Sequence, residues 1–135
     1  SSGSNNGIGV WCDDDKGTNR FLVHTGFEIA LIDDKAQEYR RLEKWQKHGS
    51  LTYFEEPSSH PMNAPGTWNQ HEIIVQGSRL QVIINGKKVI DEDLARVRPQ
   101  TTNRKPLNPN RRSGHLVLTG MRGPVEFRNM RIKEL

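Results

Sequence analysis

One glutamate stands inside an otherwise apolar run of this chain and is the first candidate for chemistry. Glu28 is flanked by Phe27, Ile29 and Leu31. Because an unpaired carboxylate is costly to bury, we expect Glu28 to face a polar cleft, where it could act as a general base or as a ligand. The alternative is an exposed glutamate on the outer face of an antiparallel sheet.

Two histidines near this run offer nitrogen ligands. His24 precedes it, and His48 lies beside Gly49. Together with Glu28 they form the mixed nitrogen and oxygen set that zinc or manganese takes, so a divalent cation at His24, Glu28 and His48 is one prediction. Their spacing matches no established metal motif, and a surface or hydrogen-bonded structural role for each histidine stays open.

Asp33 and Asp34 end the same run. Either could bind a metal, accept a substrate hydroxyl, or cap the turn that follows, and capping is the expectation for one of them. Beyond them, every third residue is apolar or aromatic, and Gly49 could end the segment, which predicts a short helix or helical turn near 35–47. We expect Trp45 and Tyr39 in this segment to be packing groups rather than a platform for a sugar.

The elements that position these residues are predicted to be β-strands. Short apolar and β-branched runs alternate with Gly, Pro and Asn, which is typical of an all-β sandwich or barrel. Gly77 separates two of the runs, and Asn85-Gly86 fits a type I′ hairpin, so three consecutive antiparallel strands follow. The predicted strands are 7–12, 20–23, 27–32, 50–55, 68–76, 79–85, 88–91, 115–119 and 125–133.

Composition limits the classes of protein that this chain can join. Its 135 residues suit one domain, and its single cysteine, Cys12, cannot form an internal disulfide. No apolar run is long enough to span a membrane. Seven of the 20 basic residues lie between 94 and 125, where there is no acidic residue. This proline-interrupted loop has no interleaved aromatics, so we expect it to be solvated or to cover a polar ligand, and we expect no nucleic acid as partner.

Several short motifs, taken in order, resemble the 3-keto-disaccharide hydrolase family (DUF1080), which has a concanavalin A-like jelly-roll fold. They are NNGIG at 5–9, GFEI at 26–29, LIDD at 31–34, WQ at 45–46 with HGS at 48–50, GTWN at 66–69, NG at 85–86 and VEFRNMRI at 125–132. The resemblance implies an all-β jelly-roll sandwich of two antiparallel sheets over 1–135, with an extracytoplasmic location.

Two features depart from the family pattern. The first motif falls within the first ten residues, whereas several strands precede it in the family, so the N-terminal strands are expected to be absent, with self-association or another segment covering the sheet edges. The second departure is Ala30, where the family usually carries glutamine. Since residues two apart share a strand face, Ala30 removes an amide from the face that presents Glu28.

The family resemblance implies cleavage of the glycosidic bond in a 3-keto-glycoside, with a carbohydrate as the partner. Glu28, His48 and Asp33 are the predicted catalytic residues, and a divalent metal ion is a possible cofactor. Residues predicted to bind substrate are Trp11, Arg128 and His115. The alternative is a lectin-like module that binds carbohydrate without catalysis, since one sandwich fold serves many functions.

Overall fold

The computed structural model describes residues 2–14 and 25–135. They form an all-β protein of two antiparallel three-stranded sheets, as the sequence predicted. One sheet has the order β2–β1–β6 and the other β3–β4–β5. The strands are β1 (Asn5–Cys12), β2 (Phe27–Ile32), β3 (His71–Gln76), β4 (Arg79–Ile84), β5 (Lys87–Asp93) and β6 (His115–Arg122).

Local turn chemistry builds the second sheet. Gly77 lies between β3 and β4 with a φ of 61°, while Asn85 and Gly86 join β4 to β5 with φ values of 50° and 78°. Positive φ at both central residues is what a type I′ hairpin requires, and asparagine and glycine tolerate it best. The predicted set of three consecutive antiparallel strands is therefore confirmed.

The core lies between the two sheets. Phe27 and Ile29 of β2 pack with Leu51 and Phe54 from one side, and alternate residues of β4 meet them from the other. Burying one such side chain stabilises the fold by about 1.5–3 kcal/mol. The core residues of the second sheet and the chain that follows it are Leu80, Val82, Ile84, Val89, Ile90, Leu94 and Val97.

The predicted helical segment consists of two short 3-10 turns, Gln37–Tyr39 and Lys44–Gln46. The second begins with a capping box between Glu43 and Gln46. The expectation that Asp33 or Asp34 caps a helix is wrong, because Asp33 Oδ2 accepts from the Gly3 backbone N–H and Asp34 Oδ2 accepts from that of His48. Both aspartates join distant parts of the chain instead.

Two of the predicted strands are wrong, and a third, 20–23, lies outside the described residues. Segment 50–55 runs beside β2, with the Thr52 N–H donating to the Glu28 carbonyl at 2.9 Å, but a turn at Tyr53, whose φ is 74°, leaves only isolated bridges. Segment 125–133 alternates in polarity like a strand, yet it pairs with no strand among the described residues. Periodicity alone cannot supply a partner strand. Nowhere in 2–14 or 25–135 is there a helix long and apolar enough to cross a membrane.

Candidate functional site

Glu28 lies on a sheet face where the neighbouring strand, β1, has glycines and therefore no side chains. The register places Glu28 opposite Gly9, and Ala30 opposite Gly7. Directly opposite residues point to the same face of an antiparallel pair. The Glu28 carboxylate occupies the space above Gly7, where a Cβ atom would collide with it. The carboxylate therefore lies against Gly7, and Gly9 adds no side chain to the same face.

A hydroxyl group on β6, the strand on the other side of β1, donates a hydrogen bond to the Glu28 carboxylate. Thr119 of β6 is opposite Gly7, and its Oγ1 donates to Glu28 Oε1 at 3.3 Å. Burial raises the pKa of the Glu28 carboxyl above its ordinary value, while the hydrogen bond from Thr119, the charge of Arg104 and the Thr52 side chain oppose that shift. A carboxylate with a raised pKa is better suited to take a proton near neutral pH.

Arg104 comes from the basic loop that the sequence singled out. Its Nη2 donates to the carbonyl of Gly26 at 2.8 Å, and its guanidinium lies 5.6 Å from the centre of the Phe54 ring. Arg111 of the same loop donates to the Thr25 carbonyl at 2.9 Å. The loop thus folds back over the beginning of β2 and brings positive charge close enough to Glu28 to affect its pKa.

His48 and Asp33 lie at the other end of β2, so the predicted catalytic set is not brought together. His48 Nδ1 lies 3.2 Å from the backbone nitrogen and 3.1 Å from the carbonyl oxygen of Ile32. Ile32 is four positions after Glu28, which is about 13 Å along a strand. Asp33 is buried at the same far end, held by Gly3. Among the described residues, Glu28 has neither of its predicted catalytic partners beside it.

The partner of His48 is His71, at the beginning of β3 in the opposite sheet. Their Nε2 atoms are 3.2 Å apart, and their ring centres 5.0 Å. Burial lowers the pKa of His48, and burial together with His48 lowers the pKa of His71 to about 4. Both rings are therefore neutral at pH 7, and one Nε2–H donates to the other Nε2. The pair connects the two sheets.

The predicted metal set of His24, Glu28 and His48 is not assembled by the described part of the chain. His24 lies outside it, and Glu28 and His48 are at opposite ends of β2. Across 2–14 and 25–135, no group of three or more His, Cys, Asp or Glu side chains is arranged to hold a metal ion. The donors that are described therefore do not fit the predicted site, and a metal requirement stays a prediction.

Of the three predicted substrate-binding residues, Trp11 and His115 lie at the same end of the β1–β6 pair and Arg128 does not. Trp11 packs edge-on against Phe27 at 5.8 Å and lines a cavity of about 330 Å³ under the basic loop. His115, which is largely exposed, has Nε2 4.0 Å from Asp14 Oδ1. Arg128 follows the far end of β6 and lies over the Trp68 ring at 3.9 Å.

The sequence reasoning missed three residues that shape the surroundings of Glu28. Gly7 had a signal, because it and Gly9 are spaced by two and must share a strand face. Thr119 had none, since its role depends on the register of a strand 91 residues away. Arg104 was part of the basic loop, but its contact with Gly26 spans 78 residues and depends on the tertiary fold.

The fold and the site define an all-β, two-sheet domain with a half-buried glutamate on a sheet face that carries glycines. Its family follows from a match between residues 1–133 and the 3-keto-alpha-glucoside-1,2-lyase-like domain. The chain belongs to this family. This agrees with the resemblance found in the sequence and supports a function related to carbohydrates.

Solved structures show the same relationship. A protein from Parabacteroides distasonis ATCC 8503, described as a "putative glycosyl hydrolase", is 25% identical with a TM-score of 0.76, over 91% of this chain and 66% of its own. A second structure with the same description and organism is 25% identical with a TM-score of 0.58, over 69% of this chain and 45% of its own. This chain therefore spans less than two thirds of either of these proteins. No curated protein matches it.

Proposed function

We propose that this domain cleaves the glycosidic bond of 3-keto-glycosides, with Glu28 as the general base. The observation that carries the proposal is the Glu28 carboxylate, which lies against Gly7, accepts a hydrogen bond from Thr119 and has a raised pKa. Family membership supplies the substrate class. The two similar solved structures are described as glycosyl hydrolases, which supports action on a glycoside.

The chemistry follows from the ketone at carbon 3. It acidifies the proton on carbon 2, which the Glu28 carboxylate removes, and the electron pair of that C–H bond forms an enolate. When the ketone re-forms, the double bond moves between carbons 1 and 2, the bond from carbon 1 to the leaving oxygen breaks, and that oxygen takes a proton. Water then adds across the double bond, so that the net reaction is hydrolysis.

The residues around Glu28 have separate roles in this proposal. Thr119 holds the carboxylate in place, and the positive charge of Arg104 lies on the side of the basic loop, where it would favour the anionic enolate. Glycines 7 and 9 place no side chain on the sheet face that carries Glu28. No step is assigned to a metal ion, because the described donors do not assemble a site.

The test is turnover of a 3-keto-disaccharide beside the unoxidised sugar, with and without a chelator. Glu28→Gln is expected to lower turnover of the keto sugar by about 10²–10⁴-fold, the usual contribution of a general base, with the fold retained. Glu72→Gln, an exposed glutamate of β3, is the matched control and should leave turnover unchanged. Equal activity of Glu28→Gln and the unaltered protein would reject the assignment. A loss of turnover with chelator would support the predicted metal.

A lectin-like module is the second candidate, and Ala30 favours it. Ala30 is buried beside Glu28 on the same face, opposite Gly7, where the family pattern has an amide. Without that amide, a substrate hydroxyl would lose a hydrogen-bond partner. Saturable sugar binding in both the unaltered protein and Glu28→Gln, with no turnover in either, would establish binding without catalysis.

A further inference from the structure

A second concave surface lies away from Glu28, at the outer side of the segment that runs beside β2. This cavity, which we name the Trp45 cavity, has a volume of about 490 Å³. That is within the roughly 300–1,000 Å³ of small-molecule sites. The side chains that matter for its chemistry are Trp45, Lys44, Glu55, Glu56, Gln100 and Thr101.

Trp45 forms an aromatic wall that is fixed in place. Its indole stacks on the ring of Tyr53, with 4.8 Å between ring centres and 29° between planes. Its backbone carbonyl accepts a hydrogen bond from Ser50 Oγ at 2.7 Å. The indole is only partly buried, so it presents apolar surface without first having to be ordered. The C–H face of a pyranose ring packs on such a surface.

Glu55 supplies an acceptor that the protein does not use. No hydrogen bond or ion pair joins its carboxylate to any residue in the described ranges. Partial burial and the charges of Glu92 and Glu56 raise its pKa. Glu56, by contrast, is paired with Lys44 at 3.2 Å. A partly buried carboxylate left without a partner beside an aromatic wall is suited to accept hydrogen bonds from ligand hydroxyls.

Two further polar groups lie in the wall of the cavity. The backbone N–H of Gln100 donates to the Tyr53 carbonyl at 2.7 Å, and its side-chain Nε2 donates to the Phe54 carbonyl at 3.1 Å. The side-chain oxygen of Gln100 is therefore left as an acceptor, beside the hydroxyl of Thr101. These contacts fix the loop that carries both residues against the segment next to Trp45.

We propose that the Trp45 cavity is a second sugar-binding site, selective for a neutral or amino pyranose over a uronate. The indole binds the apolar face of the ring, Glu55 and Gln100 accept hydrogen bonds from hydroxyl or ammonium groups, and the unneutralised Glu55 repels a carboxylated sugar. The inference shares with the proposed function only the expectation that the ligand is a sugar, and it requires no catalysis by Glu28.

The experiment follows the three indole N–H signals of the protein by NMR during titration with methyl glycosides of glucose, glucosamine and glucuronic acid. The Trp45 signal should shift saturably with the first two, with affinities on the order of millimolar for single rings. The uronate should bind about three- to fivefold more weakly because of one like charge at a partly solvated site. Trp45→Ala identifies the Trp45 signal by its loss, and Trp68→Ala, which removes an exposed indole, should leave the Trp45 shifts unchanged.

Three further results decide the inference. Glu55→Gln, which keeps the side-chain shape, should remove the discrimination against the uronate, and unchanged discrimination would overturn the role of Glu55. A titration with no saturable shift at Trp45 in the folded, unaltered protein would overturn the site itself. Glu28→Gln should leave the Trp45 shifts unchanged, so loss of turnover and loss of this binding are separate failures.

Discussion

The two ends of β2 carry polar groups that are stabilised in opposite ways. Near its beginning, the Glu28 carboxylate lies against Gly7 and accepts a hydrogen bond from Thr119, and burial raises its pKa. At its far end, His48 is paired with His71 and bonded to the backbone of Ile32, and burial lowers the pKa of both rings. Burial disfavours the charged form at each end, but only the histidines have become a neutral pair inside the protein.

The two ends of β2 therefore have different roles: the histidine end stabilises the fold, and the Glu28 end is available for function. The histidine pair completes hydrogen bonds between two sheets and contributes to the fold. The Glu28 carboxylate accepts a hydrogen bond from Thr119 and keeps further acceptor capacity, so a ligand can bond to it. Groups with perturbed pKa values are found both in structural networks and in active sites, and the available partners distinguish the two cases. We therefore expect the two ends to respond differently to pH and to substitution.

The largest expected effect is loss of stability in acid, from the histidine end. In the unfolded chain His71 takes up a proton near pH 6.5, whereas in the folded protein it does so near pH 4. Because the unfolded state binds protons first, stability should fall as the pH drops from about 6.5 to 4, by at most about 3 kcal/mol for this group. Denaturant unfolding at several pH values measures it.

Two substitutions test whether the histidine pair causes the fall in stability between pH 6.5 and 4. His71→Gln keeps a group that can bond to His48 but removes the titration of His71, so it should make the fall in stability between pH 6.5 and 4 smaller, with His48 contributing the remainder. His115→Gln, at a largely exposed histidine, should leave the fall unchanged. If the two variants gave the same slope as the unaltered protein, the pair would not control acid stability.

The second-largest expected effect is a loss of activity when a methyl group is added at Gly7. Gly7→Ala places a Cβ where the Glu28 carboxylate lies, so the carboxylate must move. A displacement of about 1 Å at a catalytic group can cost roughly 10²-fold in rate. We expect turnover of the keto sugar to fall by about that factor, measured under the conditions used for Glu28→Gln. Ile8→Val, on the opposite face of the same strand, is the control, and an equal loss there would contradict a specific effect on Glu28.

Local chemistry made much of the fold predictable. Strand β2 has the predicted bounds, because its apolar run is delimited by Gly26 and by the aspartates that follow. The β3–β4–β5 sheet follows from turn residues that accept positive φ. Glu28 was recognisable as a candidate from its apolar neighbours alone. These features depend on residues close together in the sequence.

Contacts between distant elements were not predictable in the same way. His48 and His71 are 23 residues apart and meet only because the two sheets pack face to face. We predicted that His48 and Glu28 lie close together because their motifs are near each other in the sequence. They lie at opposite ends of β2 instead, and an extended strand keeps its ends apart. Segment 125–133 has the polarity of a strand, but the described residues offer it no edge with which to pair. Hydrophobic periodicity shows which residues share a face of a segment, but strand pairing and packing determine which residues contact that face.

The smallest expected effect tests how Glu28 is tuned. The Thr119 hydroxyl lowers the pKa of Glu28 against the effect of burial, so Thr119→Val should raise that pKa further. Since the base must be ionised, the acid limb of the kcat/KM profile should move to higher pH by less than about one unit, with turnover near the plateau changed only a few-fold. Thr119→Ser restores the hydroxyl and should restore the limb. An acid limb that stayed in place in Thr119→Val would show that another group sets the pKa, and Arg104, which also lowers it, would be the next residue to substitute.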